Sequence, residues 1–298
     1  MRRAETKTAL LFLAPTLVLI ALFIVGPALY TLALSFWGPE GFAGLANFAE
    51  VLGDRDTLNL ERFPTRPPPW GALVHNAVWV AIHLPLTTLL GIALAVLFSR
   101  VRGAWAGLLR LAIFLGMVTP MIVGGVIIRF LFDEHAGIVP ALARVLGLGE
   151  PLTKSWTAYP ETALLALILG SVWLWTGFSM VLHSAGLSTI DTELYEAAMI
   201  DGANAWQQFR YITLPLLWPV TAVVIALTLL WELKIFDIVY VATQGGPGGA
   251  SLVLALEMYF LAFRDLDPYH AAAVATLLTL VSLFVGVWFA RRTVGESQ

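Results

Sequence analysis

The amino-acid sequence predicts an all-α protein that crosses a membrane six times, and three observations carry that expectation. Of its 298 residues, 59% are hydrophobic and only 12% are charged, whereas a soluble domain carries about 25% charged residues. The mean hydropathy is +0.82, more apolar surface than one core in water absorbs. Six apolar runs each reach the roughly 20 residues that a helix needs to cross a bilayer.

Taken in order, the first run is Ala9–Leu34, preceded by Arg2, Arg3 and Lys7. It is longer than the about 7–15 apolar residues of a signal peptide and reads as a retained span. The others are Leu73–Phe98, Leu108–Leu131, Thr162–Leu182, Leu216–Tyr240 and Ala271–Ala290. Pro27, Pro85 and Pro120 fall within spans, where neighbouring helices can satisfy the freed carbonyls. Gly103 and Gly107 form a small-xxx-small pair that suits close helix packing. The whole chain reads as one membrane domain, 1–298, with its core at 70–292. Between spans, residues 36–70 carry Asp54, Arg55, Asp56, Glu61, Arg62 and three consecutive prolines, the composition of a water-exposed cap. Residues 132–160, with Gly137, Gly147, Gly149 and Pro151, read as short helices and turns.

Six spans leave both termini on one side. That side holds Arg2, Arg3, Lys7, Arg100, Arg102, Arg110, Arg210, Arg291 and Arg292, nine basic residues against six opposite. Positive charge concentrates on the cytoplasmic side, so the termini and the 191–215 segment are expected there. This segment is polar between apolar runs. Asp191, Glu193 and Glu196 crowd a first helical turn, where negative charge is favourable. Gly202 can take the left-handed conformation that stops a helix. Asn204 and Gln207 then fit the N-cap and N3 positions of a second helix.

Chemistry of most other kinds is excluded. The chain has no cysteine, hence no disulfide or thiolate site. His75, His83, His135, His183 and His270 lack the spacing of a metal site. No phosphate-binding Gly-x4-Gly-Lys-Ser/Thr loop occurs, and no G-x-S-x-G elbow. A net charge of −3 supplies no basic field for nucleic acid. Ionisable groups inside spans are the remaining candidates. Arg129, near the outer end of the third span, is expected to extend its charge to the surface. Glu232 lies beyond the midplane of the fifth span, with Thr228 and Phe236 four residues to either side on the same face. It is either a structural carboxylate, bonded to a neighbouring helix or to Lys234, or a wall of a polar path with Trp231 and Phe236. Lys234 and Asp237 stand three residues apart and can neutralise each other. Ser179, His183 and Ser184 are expected at the outer end of the fourth span as weaker path candidates.

Glu196-Ala197-Ala198, Gly202 and Ile212-Thr213-Leu214-Pro215 resemble the EAA loop of permease subunits of bacterial ABC importers, with no departure in spacing. Ala14-Pro15-Thr16, Gly26-Pro27-Ala28, Gly44–Phe48, Phe236-Asp237 and Thr243–Pro247 resemble the carbohydrate-uptake branch, similar to maltose and trehalose permeases. The resemblance implies a bacterial inner-membrane protein that pairs with a second permease. It also implies two ATP-binding cassette subunits, which would bind the ATP, and an extracytoplasmic solute-binding protein delivering a sugar, a di- or oligosaccharide. Glu196, Ala197, Ala198, Asp201, Gly202 and Arg210 would then form the coupling surface, and Thr228, Trp231, Glu232, Phe236, Asp237 and Ser179 the substrate path. No cofactor or metal is expected in this chain. An ion-coupled secondary carrier is the other class considered; it would favour inverted repeats, and no internal repeat is visible.

Overall fold

The computed structural model describes residues 12–101, 103–150 and 152–295. The first three residues of the expected span at Ala9, the basic residues Arg2, Arg3 and Lys7, and Arg102 lie outside the described residues. Five helices are long and apolar enough to cross a membrane: α1 (Phe12–Leu34), α3 (Ala72–Arg100), α7 (Pro160–Ser188), α9 (Ala205–Glu232) and α12 (Pro268–Gly295). A sixth crossing is available from a broken pair, α4 (Ala104–Val118) and α5 (Met121–Leu131), whose axes meet at 113°. Shorter elements are a two-residue hairpin (Trp37–Gly38 with Gly41–Phe42), α2 (Ala46–Gly53), α6 (Ile138–Val145), α8 (Thr192–Ile200), α10 (Asp237–Ala242) and α11 (Leu254–Phe263).

Two expected spans are not continuous. The run Leu108–Leu131 breaks at Thr119-Pro120, where both residues take extended ψ values of 124° and 137°. Proline disfavours the helical region for the residue before it, and at Thr119 that bias prevails. Pro85, by contrast, sits inside an unbroken α3. The run Leu216–Tyr240 ends as helix at Glu232, and the chain turns before α10. The amide of Asn76 on α3 donates to the carbonyls of Glu232 and Leu233 at 3.3 and 3.5 Å, so carbonyls left unpaired at the helix end find a partner across the bundle.

α7 is the centre of the bundle. Its Leu164, Leu167, Ile168 and Leu174 are buried, and it packs along α3, α4 and α9. Gly91 permits the closest approach of α3 and α7: a Cβ there would stand 2.0 Å from the Ser179 hydroxyl oxygen. Gly103 and Gly107, expected to pack, do not, for a Cβ on either would meet open space. α1 buries no side chain within this chain, although it lies against α12.

Residues 36–70 form a cap tied to α11 and α12. Asn47 is buried and donates to the carbonyls of Ser35 and Trp37 at 2.9 and 2.8 Å. Glu50 reaches His270 at 2.9 Å, and the Thr57 hydroxyl bonds the buried Glu257 on α11. The 243–253 loop is equally tied down. His75 Nδ1 lies 2.7 Å from the Leu252 carbonyl, and Asn76 Oδ1 accepts from the Leu254 N–H at 2.9 Å. Burial, together with the nearby Asp54 and Asp56, pushes the Glu257 carboxyl up to about 7 from an ordinary 4.5. A carboxyl raised in the folded state is folded at no electrostatic cost below its unfolded value, and the penalty grows until the folded value is passed. The thermal midpoint of this capping region should therefore fall as pH rises from about 4.5 to about 7 and level off above. Glu257→Gln should flatten that dependence and raise the midpoint at alkaline pH, as read by calorimetry of the detergent-solubilised protein.

Candidate functional site

Glu232 closes α9 with its carboxylate fully buried, and His83 of α3 meets it: Nδ1 and Oε1 are 2.6 Å apart, both side chains with no exposure. An ionised carboxylate has two oxygens to satisfy, and Oε2, like His83 Nε2, has no partner among the described residues. Of the two alternatives, the bond to a neighbouring helix is the one realised; Lys234 takes no part. Thr228 is likewise buried one turn earlier. Lys234 and Asp237 are both exposed and form no ion pair with one another among the described residues, so the expected neutralisation does not occur.

Beside this buried pair stands a row of aromatic rings. Trp231 packs on Trp175 (centroids 5.2 Å) and Phe178 (5.0 Å), and Trp175 meets the edge of His83 at 6.4 Å. Trp231 keeps 40% of its surface, so the row is a wall open on one side, and Glu232 lies behind it. An exposed face of aromatic rings can take up the apolar face of an organic ligand. The sequence reading named Trp231 but missed Trp175, Phe178 and His83. Trp175 and Phe178 stand three apart on a helix that is apolar all round, so periodicity could not single them out.

The remaining path candidates lie elsewhere. Phe236 stacks on Tyr240 (5.3 Å, 13°) and meets Tyr259, and Asp237 opens α10. Ser179 is 1% exposed, against Gly91 in the α3–α7 contact. It and His183 lie at the end of their span that adjoins the 191–213 segment. α7 runs directly into the 191–213 segment, so both occupy the half nearest that segment, opposite the 132–159 loops. His183 there lies 2.7 Å from the Ser179 carbonyl and 3.1 Å from the Thr221 hydroxyl of α9. This is a staple between α7 and α9.

The 191–213 segment has the expected helix–bend–helix form. Asp191 accepts the Glu193 N–H at 3.0 Å as N-cap. Gly202 has φ +83°, a conformation that costs a residue with a Cβ. Asn204 and Gln207 form a reciprocal capping box at 2.8 and 3.0 Å. Tyr195 and Thr213 join the two helices through their hydroxyls at 3.0 Å. α8 buries no residue. Glu196, Asp201 and Arg210 are exposed, and so are the apolar Met199, Ile200, Trp206 and Tyr211, Ile200 at 87%. Met199 and Ile200 lie on α8, which is not one of the spans, and apolar side chains exposed in such a place mark an interaction surface.

The model of the family described as "Binding-protein-dependent transport system inner membrane component" matches residues 87–294. The probable ABC transporter permease protein PH1038 of Pyrococcus horikoshii is 53% identical over 96% of this chain and 98% of its own length. The lactose transport system permease protein LacF of Rhizobium radiobacter is 31% identical over 94% and 93%. Among solved structures, a bacterial ABC transporter involved in import of the acidic polysaccharide alginate superposes with TM-score 0.80 at 19% identity, over the full length of both chains. The fold is thus that of an importer permease, and none of these comparisons supports an ion-coupled carrier. The chain is a multi-pass membrane protein and belongs to the family of inner membrane components of binding-protein-dependent transport systems.

Proposed function

We propose that this chain is one of two permease subunits of an ATP-driven sugar importer, and that Trp175, Phe178 and Trp231 form its wall of the translocation path. The open aromatic wall is the observation that carries the reading: sugar rings present apolar C–H faces that stack on aromatic rings, and their hydroxyls need only a few polar partners. The names of relatives such as the lactose permease support a saccharide substrate. Glu232 acts as a positioning residue; with His83 it fixes the end of α9 and so the orientation of Trp231. The second permease closes the path opposite, and an extracytoplasmic solute-binding protein delivers the sugar.

The chain carries no nucleotide-binding loop, so ATP is bound and hydrolysed by two partner cassette subunits. Those subunits dock on the exposed face of 191–213. Met199, Ile200 and Trp206 enter their clefts, while Glu196, Ala197, Ala198, Asp201 and Arg210 form the surrounding surface. Gly202 sets the angle between the two docking helices. The termini then lie in the cytoplasm, in keeping with the excess of basic residues on that side.

The test is ATPase activity of the reconstituted complex, stimulated by binding protein and a panel of mono-, di- and oligosaccharides. At least one sugar should stimulate hydrolysis and be taken up; a panel without effect overturns the reading. Trp231→Ala should lower sugar-dependent stimulation about tenfold, the scale of one lost aromatic contact, while basal hydrolysis stays as in wild type. Gly202→Val should leave assembly intact and separate hydrolysis from uptake, since strain at a left-handed position of about 1 kcal/mol or more changes the bend without unfolding the bundle; coupled uptake in this variant would count against the docking role. His83→Leu leaves a buried carboxylate unpaired, and should destabilise the protein by about 3–5 kcal/mol. Glu232→Gln in the same background should recover part of that loss.

A further inference from the structure

Arg110 is a cation near the start of a membrane helix, and the proposed transport path does not use it. The sequence has no aspartate or glutamate between Glu61 and Asp133, and none between Glu161 and Asp191. The helices α3, α4 and α7 thus bring no carboxylate to their shared end, and Arg110 makes no ion pair among the described residues. Its guanidinium donates to the Phe98 carbonyl and lies 5.5 Å over the Phe98 ring. A guanidinium has five N–H donors, so most of them find no partner among the described residues, where the charge meets only the Phe98 ring.

Arg110 lines a crevice of about 600 Å³ between the three helices. Beyond the middle of α4, Trp173 Nε1 of α7 donates to the Ala112 carbonyl at 3.3 Å and Gly177 lies against Ile113. Nearer the start of α4, Gly107 faces open space, while Ala106 beside it is buried. On the α7 wall, the exposed Ser184 hydroxyl has no hydrogen-bond partner among the described residues. The rest of the wall is mainly apolar, with Phe98, Leu111, Phe114 and Met180.

Depth decides which ligand fits. Phe98 stands in the last turn of α3, Ser184 in the penultimate turn of α7, and Arg110 in the second turn of α4. Helical side chains lean toward the N-terminus of their helix, which carries the Arg110 head toward the bilayer boundary. The occupant must therefore present an anion at the boundary and apolar matter below it. We propose that the crevice binds one anionic phospholipid of that leaflet, its phosphate on Arg110 and Ser184 and an acyl chain along Phe98, Leu111, Phe114 and Met180. Basic pockets between membrane helices recognise acidic headgroups in this way. Inorganic phosphate would answer the charge and leave the apolar wall uncovered, whereas a helix of a partner subunit would have to bring a carboxylate to the same height.

The intact transporter, purified with its partner subunits, is placed in nanodiscs of phosphatidylcholine mixed with phosphatidylglycerol, and retained lipid is read by native mass spectrometry. Wild type should retain phosphatidylglycerol over phosphatidylcholine by about fivefold, the scale of one basic residue at a membrane surface. Arg110→Gln should abolish the preference, and Ser184→Ala should weaken it. Equal retention by wild type and Arg110→Gln overturns the proposal, and so does displacement of the bound species by inorganic phosphate. Because the chain has no cysteine, Leu111→Cys supplies a second reading with Arg110 in place, should Arg110→Gln fail to assemble. Slower thiol labelling in phosphatidylglycerol than in phosphatidylcholine supports the lipid, and a cross-link from this position to a partner subunit overturns it.

Discussion

A carboxylate placed where no water reaches must be answered from within the protein, and much of this bundle is arranged around the answer that His83 gives to Glu232. Desolvating an ion costs several kcal/mol, so the 2.6 Å contact fixes the relative height of α3 and α9 closely. Asn76 stands two turns before His83 on α3 and repeats the instruction. Its amide takes the last carbonyls of α9, and its oxygen takes the N–H of Leu254 at the start of α11. One face of α3 thereby ends one helix, starts another and holds the aromatic wall between α7 and α9 in place.

The sequence made the gross architecture legible because crossing a bilayer is a constraint on composition. The five long helices fall where apolar runs of sufficient length stand, and the capping box at Asn204 and Gln207 and the bend at Gly202 formed as local chemistry dictates. Less legible was where an apolar run would stop being one helix. Pro85 and Pro120 both stand within apolar runs, but α3 continues through the first and the helix breaks at the second. Leu216–Tyr240 is apolar enough to continue, but Asn76, more than 150 residues away in the chain, offers its end carbonyls a partner.

The site was legible in its charged member alone. Glu232 stood out because a carboxylate in an apolar run is conspicuous; His83, Trp175 and Phe178 did not, because each looks like ordinary core on a helix buried on most sides. Ser179 and His183 stand late in the fourth crossing, and that crossing runs into the 191–213 segment, so an expectation that puts this segment on the cytoplasmic side cannot also put them at the outer end. Lys234 and Asp237 have the right spacing for a helical pair, but the helix ends before them, and the spacing rule applies only within a helix.

The pinned end of α9 gives it the mechanics of a lever. Its 28 residues make a rod of about 42 Å at 1.5 Å per residue, anchored at Glu232 and ending at Ala205 among exposed side chains. A tilt of about 10° about the anchor would sweep the free tip through roughly 7 Å, while Trp231, beside the fulcrum, would scarcely translate. Such a rod turns a large stroke at its tip into a small, forceful adjustment where the aromatic rings stand.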